Sequence, residues 1–256
     1  MRRSKALARI RNGDIVRLCC LGHYIPPFVA HAARAGYDCI WLDLEHRGIS
    51  SREIEALLMQ CHLQDIDCMV RPPTREKARL YRYLEDGAAG LMIPHVASAD
   101  QVRELVAAVK FPPLGNRGVD NAGLDSGYHS NPDNVAYAEA ANRETFLAVQ
   151  IETPEAVENC EEIVSVDGLD AVFVGPGDLG LRLTLAGDSD GTQLEAAIGR
   201  IARACAQHGK SWGSPAMTPE VLKHRKEQGA QLLSNFGEYP HIMSGLQSAV
   251  KQFDDF

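Results

Sequence analysis

The stretch DCIWLDLEHRGISSREIEALLMQCHL, residues 38–63, contains one complete strand–loop–helix unit. It begins with the apolar run 38–44, which is typical of a buried strand. Charged side chains follow, and then Ser50-Ser51 before Glu53 provides a helix N-cap signal for the amphipathic pattern 51–63. A strand that is apolar on both faces and is followed by a helix is typical of a parallel sheet.

The same unit recurs along the chain. The eight apolar runs cover residues 15–21, 38–44, 66–70, 90–94, 145–151, 171–174, 211–215 and 231–236. Helical patterns between them cover residues 51–63, 75–84, 98–109, 154–163, 193–207 and 218–228. Eight such units in 256 residues predict an α/β fold, a (β/α)8 TIM barrel of parallel strands forming one domain over residues 1–256. A short amphipathic helix ending at Asn12-Gly13 is expected to precede the barrel. The alternative is an open doubly wound sheet, although no G-x-G-x-x-G follows the first strand.

The composition of the chain limits the kinds of molecule that it is expected to bind and the compartment in which it is expected to occur. The formal net charge of -8 argues against nucleic acid or an anionic membrane as a partner. No apolar stretch reaches the roughly 18 residues that span a bilayer, and the basic N-terminus lacks the apolar segment of a secretory signal. The seven cysteines contain no C-x-x-C spacing, which favours reduced, buried thiols and a cytoplasmic location.

Polar residues follow the apolar runs at the ends where a barrel of this type carries its active site. Taken one at a time, each has a structural interpretation, and His23 and His95 are more typical of hydrogen-bonded support than of catalysis. Their convergence nevertheless predicts one site at the carboxyl ends of the strands. The residues are Gly22-His23, Asp43, Glu45, His46, Arg71, His95, Gln150, Glu152, Gly175-Pro176-Gly177-Asp178, Ser214 and Asn235.

Two acids at neighbouring strand ends indicate a metal site. Glu152 and Asp178 have no His or Cys close in sequence, so they suit a hard divalent ion completed by water and substrate oxygens. The alternative is that one acid binds the metal and the other pairs with an arginine. The tight turn Gly175-Pro176-Gly177 is expected to present its backbone N–H groups to an anion.

Five segments together resemble the HpcH/HpaI aldolase family of class II pyruvate aldolases, which is related to macrophomate synthase and the citrate lyase β-subunit. They are YDCIWLDLEH (37–46), VRPP (70–73), LEDGAAGLMIPHVASADQVRELVAAVKFPPLGNRG (84–118), AVQIETPEAVENCEEIV (148–164) and GLDAVFVGPGDL (168–179). The resemblance covers roughly residues 10–250. It implies a metal-dependent carbon–carbon lyase that cleaves a 4-hydroxy-2-oxo acid to pyruvate and an aldehyde through a metal-stabilised pyruvate enolate. It also implies a homo-oligomer, a hexamer or trimer, in which the last helix packs on a neighbouring subunit.

The resemblance also assigns roles to the site residues. Glu152 and Asp178 would hold Mg²⁺, Mn²⁺ or Co²⁺, and Gln150 would hold a water or the 2-oxo acid beside the metal. Arg71 would stabilise the enolate oxygen. His46 would act as the base, oriented by Asp43 directly or through a water, since the two lie three residues apart. The backbone amides of Gly177 and Asp178 would bind the substrate carboxylate.

Several alternatives remain open. Carbon–carbon cleavage beside a carbonyl needs an electron sink, either a metal or a lysine Schiff base. No lysine follows a predicted strand, and Lys210 precedes the seventh, so position disfavours the Schiff base. Oxaloacetate decarboxylation, a macrophomate-synthase-like reaction, acyl-CoA lysis and a non-catalytic binder of metal and keto acid are the competing functions. The rim departs from the family pattern at Arg47-Gly48, where the family favours a small residue and proline, and this leaves the aldehyde open.

Overall fold

Eight parallel strands close into a barrel in the computed structural model, which describes residues 1–129 and 133–254. Each strand pairs with its neighbours in chain order, and β8 pairs with β1. The predicted (β/α)8 barrel is therefore confirmed, and the alternative of an open doubly wound sheet is wrong. The strands are β1 (Val16–Leu21), β2 (Cys39–Asp43), β3 (Asp67–Arg71), β4 (Gly90–Ile93), β5 (Phe146–Ile151), β6 (Ala171–Val174), β7 (Ser211–Pro215) and β8 (Leu232–Gly237).

Helices surround the barrel and follow most of the strands. They are α1 (Lys5–Arg11), α2 (Pro26–Ala35), α3 (Ser51–Leu63), α4 (Lys77–Glu85), α5 (Ala99–Val109), α6 (Asn134–Glu144), α7 (Pro154–Glu158), α8 (Cys160–Val164), α9 (Pro176–Leu185), α10 (Thr192–Gln207), α11 (Pro219–Glu227) and α12 (Glu238–Val250). Helix α3 begins with a complete capping box, in which Ser50 and Glu53 satisfy each other's backbone N–H groups. None of the helices in the described ranges is long and apolar enough to cross a bilayer.

The core consists of two layers separated by the strands. Alternate residues of each strand point inward or outward, so Trp41 and Phe173 meet edge-to-face inside the barrel with ring centroids 5.2 Å apart. Their neighbours Ile40 and Val172 pack in the outer layer with the helices. This double burial explains why the strands have near-continuous apolar sequences.

The helical patterns differ from the structure in specific places. The pattern 154–163 is interrupted at Asn159, which ends α7 and begins α8. The periodicity did not indicate α2, α9 or α12, because the residues that begin each of them read as loop or turn, although the family resemblance implied a last helix. In the irregular region 111–142, a short 3₁₀ turn (Leu124–Ser126) and α6 occur.

The basic N-terminal pattern predicts a short helix, and α1 confirms it. This helix closes the N-terminal end of the barrel. It ends at Arg11, with Asn12 as its C-cap. Ser4 and Ala6 attach it to β3 through hydrogen bonds to the Asp67 carboxylate, at 2.7 and 2.9 Å. The seven cysteines form no disulfide, and six of them are buried. The prediction of buried cysteines is therefore confirmed for those six.

Candidate active site

Most of the predicted site residues converge at the C-terminal mouth of the barrel because the parallel strands all end there. Asp43 and Arg71 are the last residues of β2 and β3, and Gln150 lies in β5 with Glu152 directly after it. Asp178 lies in the first turn of α9, which follows β6. We refer to the mouth network as Arg71, Asp43, Glu45, His95, Gln150 and Glu152.

Arg71 lies at the centre of the mouth network. Its Nε and Nη2 atoms are 3.0 and 2.9 Å from the two oxygens of Asp43, in a bidentate pair. Its Nη1 atom is 3.0 Å from Glu45 Oε2 and donates to Gln150 Oε1 at 3.4 Å. The guanidinium also stacks over the Trp41 ring, 4.9 Å from the centroid. These contacts use four of the five guanidinium N–H groups and leave one on Nη2 for a ligand.

Asp43 makes no direct contact with the His46 ring, so of the two predicted ways of orienting that ring, only the one through a water stays a prediction. Asp43 Oδ1 instead accepts the backbone N–H groups of Glu45 and His46, at 3.1 and 3.4 Å. Both Asp43 oxygens face Arg71, so the carboxylate is occupied by the guanidinium and by the backbone of its own loop. The His46 ring is half-exposed, and its Nε2 atom lies 3.5 Å from Glu45 Oε2.

Glu152 is held by Gln150 and His95 on opposite sides. Gln150 Nε2 donates to Glu152 Oε2 at 2.9 Å. The backbone N–H of His95 donates to Glu152 Oε1 at 2.7 Å, and the His95 ring lies between Glu152 and Glu45 at 2.9 and 3.0 Å. His95 adopts the left-handed backbone conformation, with φ 56°, that brings both its N–H and its ring to the site. The supporting role that the sequence favoured for His95 agrees with these contacts.

Negative charge is concentrated around Glu152. Burial raises the pKa of this carboxyl group, and the neighbouring carboxylates of Glu45 and Asp178 raise it further, although His95 opposes the shift. Asp178 is half-buried and accepts no side-chain hydrogen bond from the described part of the chain. Gly175 makes room for this arrangement, since a Cβ atom there would lie 2.5 Å from Glu152 Oε2. The carboxylates of Glu152, Glu45 and Asp178 therefore provide several oxygen atoms that could bind a metal ion.

The turn after β6 begins a helix and is not only a tight turn. Gly175 is the N-cap of α9 without a side-chain hydrogen bond, and Pro176 occupies the first helical position. The N–H groups of Gly177 and Asp178 belong to the first turn, where no intrahelical acceptor exists. A Cβ atom at Gly177 would meet nothing within 4 Å, so the Cβ side of this residue borders open space. The predicted anion-binding amides thus lie at a helix N-terminus.

The end of β8 differs from the expectation. Asn235 does not face the mouth, because its side chain accepts a hydrogen bond from Tyr37 at 3.1 Å and lies beside the outer helices. Glu238, the first residue of α12, reaches the mouth instead, and the sequence analysis missed it. Its buried carboxylate accepts the Gly22 N–H at 2.7 Å and lies 2.7 Å from His23 Nδ1. An acid two residues after the eighth apolar run was the available signal.

Within residues 1–129 and 133–254, no three His, Cys, Asp or Glu side chains are grouped as a complete metal site. Glu152 and Asp178 would therefore contribute two protein ligands, with other oxygens completing the shell.

Comparisons with known proteins identify the family. The family model described as HpcH/HpaI aldolase/citrate lyase matches residues 23–234. The chain is 35% identical over 202 residues to hydroxypyruvate/pyruvate aldolase of Sagittula stellata, covering 79% of each chain. It is 33% identical over 199 residues to 4-hydroxy-2-oxo-heptane-1,7-dioate aldolase of Escherichia coli, covering 77% of this chain and 75% of that one. The crystal structure of an HpcH/HpaI aldolase from Desulfitobacterium hafniense superposes with a TM-score of 0.90 at 32% identity, covering 98% and 96% of the two chains.

Proposed function

The chain belongs to the HpcH/HpaI aldolase/citrate lyase family, and on that premise we propose that it uses a divalent metal ion to cleave a 4-hydroxy-2-oxo acid to pyruvate and an aldehyde. It is a carbon–carbon lyase of the aldolase type, as its named relatives are. The observation that carries the proposal is the convergence of Arg71, Glu152, Asp178 and His46 at one mouth of the barrel.

The residues at the mouth fit a divalent ion such as Mg²⁺, Mn²⁺ or Co²⁺. Glu152 and Asp178 are oxygen donors, which these ions prefer. Glu45 adds a third nearby negative charge, and burial together with the carboxylates of Glu45 and Asp178 raises the pKa of Glu152. Asp178 accepts no side-chain hydrogen bond from the described residues and is available as a ligand. When bound, the ion would polarise the keto carbonyl and supply the electron sink that cleavage needs.

Arg71 would stabilise the negative charge that develops on the keto oxygen. Its guanidinium is held by Asp43, Glu45 and Gln150, so it does not need to reorganise during the reaction. The role of Asp43 is then to orient Arg71. Gln150 joins Arg71 to Glu152 and would fix the distance between the guanidinium and the bound ion.

His46 would move the proton. Its half-exposed ring projects from the loop after β2 and makes no hydrogen bond to Asp43. In cleavage it would accept the proton of the 4-hydroxyl group, and in the reverse direction a proton from C3 of pyruvate. Glu45, 3.5 Å from its Nε2 atom, would orient the ring.

The first turn of α9 would bind the substrate carboxylate. The N–H groups of Gly177 and Asp178 point from a helix N-terminus, where backbone donors and the helix dipole favour an anion. Because the Asp178 side chain is also a proposed metal ligand, the same turn would bring the substrate carboxylate next to the ion.

Pyruvate C3 hydrogen–deuterium exchange, followed by NMR, tests the proposal without knowledge of the aldehyde. We expect exchange to stop after exhaustive chelation and to return on addition of Mg²⁺, Mn²⁺ or Co²⁺. An aldehyde panel in the presence of pyruvate then measures carbon–carbon bond formation, and loss of oxaloacetate measured in parallel reports the competing decarboxylation.

Two results would contradict the proposal. Full exchange without metal would remove the divalent ion from the mechanism. A covalent adduct formed by pyruvate and borohydride would indicate a lysine Schiff base. We expect no adduct, because Lys110 and Lys210 bind carbonyl groups near the N-terminal ends of the strands.

We further propose that the chain, one domain over residues 1–256, assembles as a homo-oligomer through α12. This helix and the turn after it expose an apolar stripe made of Ile242, Met243, Leu246, Val250 and Phe253. On the barrel's outer surface, a groove of about 720 Å³ is lined partly by Ile15, Tyr37, Leu222 and Leu233. A neighbour's α12 would cover this groove, as the family resemblance implies for a trimer or hexamer.

Light scattering after size exclusion tests the assembly. Leu246→Asp places a charge in the apolar stripe and should dissociate the oligomer. Ser248→Asp is the matched control, because two residues along a helix turn the side chain by about 200°. A monomeric wild-type protein, or equal dissociation by both variants, would contradict the proposal.

A further inference from the structure

The loop after β4, residues 94–98, reaches the proposed metal ligand Glu152 through its backbone. The His95 N–H donates to Glu152 Oε1 at 2.7 Å, and His95 does so in the left-handed conformation, with φ 56°. Residues other than glycine seldom adopt this conformation, and it persists only where the surrounding structure holds it. The contacts that hold this loop therefore also fix the donor that Glu152 receives.

Arg75 holds the loop from the side of β3. It lies in the loop after that strand, and its Nη2 atom donates to the carbonyl oxygen of Pro94, at 3.1 Å, and to that of His95. The Pro94 carbonyl and the His95 N–H belong to one planar trans peptide group, so they point in opposite directions. A donor fixed on the carbonyl therefore turns the N–H toward Glu152.

The guanidinium of Arg75 has no other partner in the described ranges 1–129 and 133–254. Its two hydrogen bonds both go to the loop after β4, and no carboxylate lies within ion-pair distance. The residue is exposed and is not part of the mouth network. Arg79, four residues further on, differs because it pairs with Glu76 at 3.7 Å. The contacts of Arg75 thus point to one role, which is to hold the peptide groups beside His95.

A second anchor holds the far end of the same loop. Asn159, where α7 ends and α8 begins, donates from Nδ2 to the Ala97 carbonyl oxygen at 2.9 Å. The Ala97 N–H donates to Gln101 Oε1, also at 2.9 Å. Because Ala97 is held independently of Arg75, loss of the arginine should release only the peptide groups on either side of His95 and leave the rest of the loop in place.

We propose that Arg75 is a positioning residue for metal binding, which acts by holding the peptide group between Pro94 and His95 so that its N–H orients Glu152. The inference rests on the proposed function, in which Glu152 is a metal ligand. Partners that orient a metal ligand typically contribute 10–100-fold to metal affinity. Arg75 acts through one intervening peptide group, so we expect the lower end of that range.

Calorimetric titration of the metal-free protein with Mn²⁺ tests the inference without any turnover. Arg75→Ala should lower the Mn²⁺ affinity about tenfold, at a temperature where circular dichroism shows both proteins to be folded. Arg75→Lys should give an intermediate affinity, because a single ammonium group replaces the planar guanidinium. Arg79→Ala is the matched control: it removes the same charge from an exposed position that does not contact the loop, and it should bind Mn²⁺ as the wild type does.

A double variant separates the backbone of His95 from its ring. His95→Ala removes the ring and keeps the N–H group that donates to Glu152. Since Arg75 acts on the peptide group, adding Arg75→Ala to His95→Ala should lower the Mn²⁺ affinity about tenfold again. A double variant that binds Mn²⁺ as tightly as His95→Ala alone would assign the effect to the ring and would overturn the inference.

The titrations distinguish this inference from the proposed function. A wild-type protein that binds no Mn²⁺, Mg²⁺ or Co²⁺ would contradict the proposed function itself. If the wild type binds Mn²⁺, an equal affinity in Arg75→Ala would overturn the inference and leave the proposed function standing. An equal loss in Arg79→Ala would overturn it as well, because the effect would then reflect net charge.

Discussion

At the N-terminal end of the barrel, the fully buried Asp67 carboxylate accepts from Arg2 at 2.6 Å, from the Ser4 hydroxyl at 2.7 Å and from the Ala6 N–H at 2.9 Å. At the C-terminal end, Glu152 is nearly as buried, but its neighbours include two further carboxylates. Both ends place charge inside the protein. Burial raises the pKa of both carboxyl groups, and each has three donor groups nearby. The charged neighbours differ, because Arg2 and Lys5 lower the pKa of Asp67 whereas Glu45 and Asp178 raise that of Glu152.

This difference between Asp67 and Glu152 indicates that the first carboxylate serves the stability of the fold and the second serves the chemistry of the site. A buried carboxylate beside cationic neighbours costs less free energy to keep charged than one whose neighbours are other carboxylates. We therefore expect substitutions at the two ends to act in opposite ways. Four variants test this comparison.

The largest effect on activity is expected for Glu152→Gln. The variant loses one of the two proposed protein ligands of the metal, so aldol activity should fall to the background and Mn²⁺ affinity, measured by calorimetry, should drop. The free energy of unfolding should stay the same or rise, because a buried charge beside Glu45 and Asp178 is removed. The control is Glu155→Gln, an exposed residue in α7. Wild-type Mn²⁺ affinity in Glu152→Gln would refute the ligand assignment.

His46→Ala should lower the aldol rate roughly 10²–10⁴-fold, the usual contribution of a general base. Pyruvate C3 exchange should fall in parallel, while Mn²⁺ affinity stays close to that of the wild type because His46 does not contact Glu152 or Asp178. His208→Ala, an exposed histidine after α10, serves as the control. If His46→Ala exchanges as fast as the wild type, Glu45 becomes the next candidate for the base.

Arg71→Lys should lower kcat about 10²–10³-fold, the typical loss of one preorganised donor. Lysine keeps the charge but cannot bind Asp43 in bidentate fashion and reach Glu45 and Gln150 as well. Turnover near that of the wild type would mean that Arg71 serves only to hold the mouth network together.

Asp67→Ala should leave the rate per folded molecule nearly intact and should lower the free energy of unfolding by about 3 kcal/mol. The Ser4 hydroxyl and the Ala6 N–H would lose their acceptor, and each unsatisfied buried donor costs ~1–3 kcal/mol. Urea unfolding and kcat, measured on the same sample, check both parts. Asp65→Ala is the control, since this neighbouring acid is mostly exposed and its ion pairs with Arg2 and Lys5 are worth ~0–1 kcal/mol. A large loss of kcat in Asp67→Ala would break the contrast between the two ends.

Much of the architecture followed from the sequence alone. All eight apolar runs became strands, and helix α3 begins and ends at the predicted residues 51 and 63. The reason is local: strands buried on both faces need apolar residues at nearly every position, and a capping box satisfies the first helical N–H groups. The list of residues at the strand ends followed in turn from the rule that parallel strands of a barrel end at one mouth.

Pairings between those residues could not be deduced in the same way. The sequence placed Asp43 three residues before His46 and predicted a contact, but the Asp43 carboxylate binds Arg71, 28 positions away. Glu238 was missed, although it reaches Gly22 from 216 positions along the chain. Periodicity and turn signals report only on neighbours in sequence, so they carry no information about such partners.

The sequence by itself therefore determined the barrel, the end of it that carries the polar residues, and the family. Tertiary structure decided which carboxylates have cationic neighbours and which are crowded by other carboxylates, and it placed His95 between Glu45 and Glu152. The physical reason is that burial and backbone hydrogen bonding select residue types locally. The electrostatic state of a side chain depends instead on atoms brought within a few ångströms by closure of the barrel.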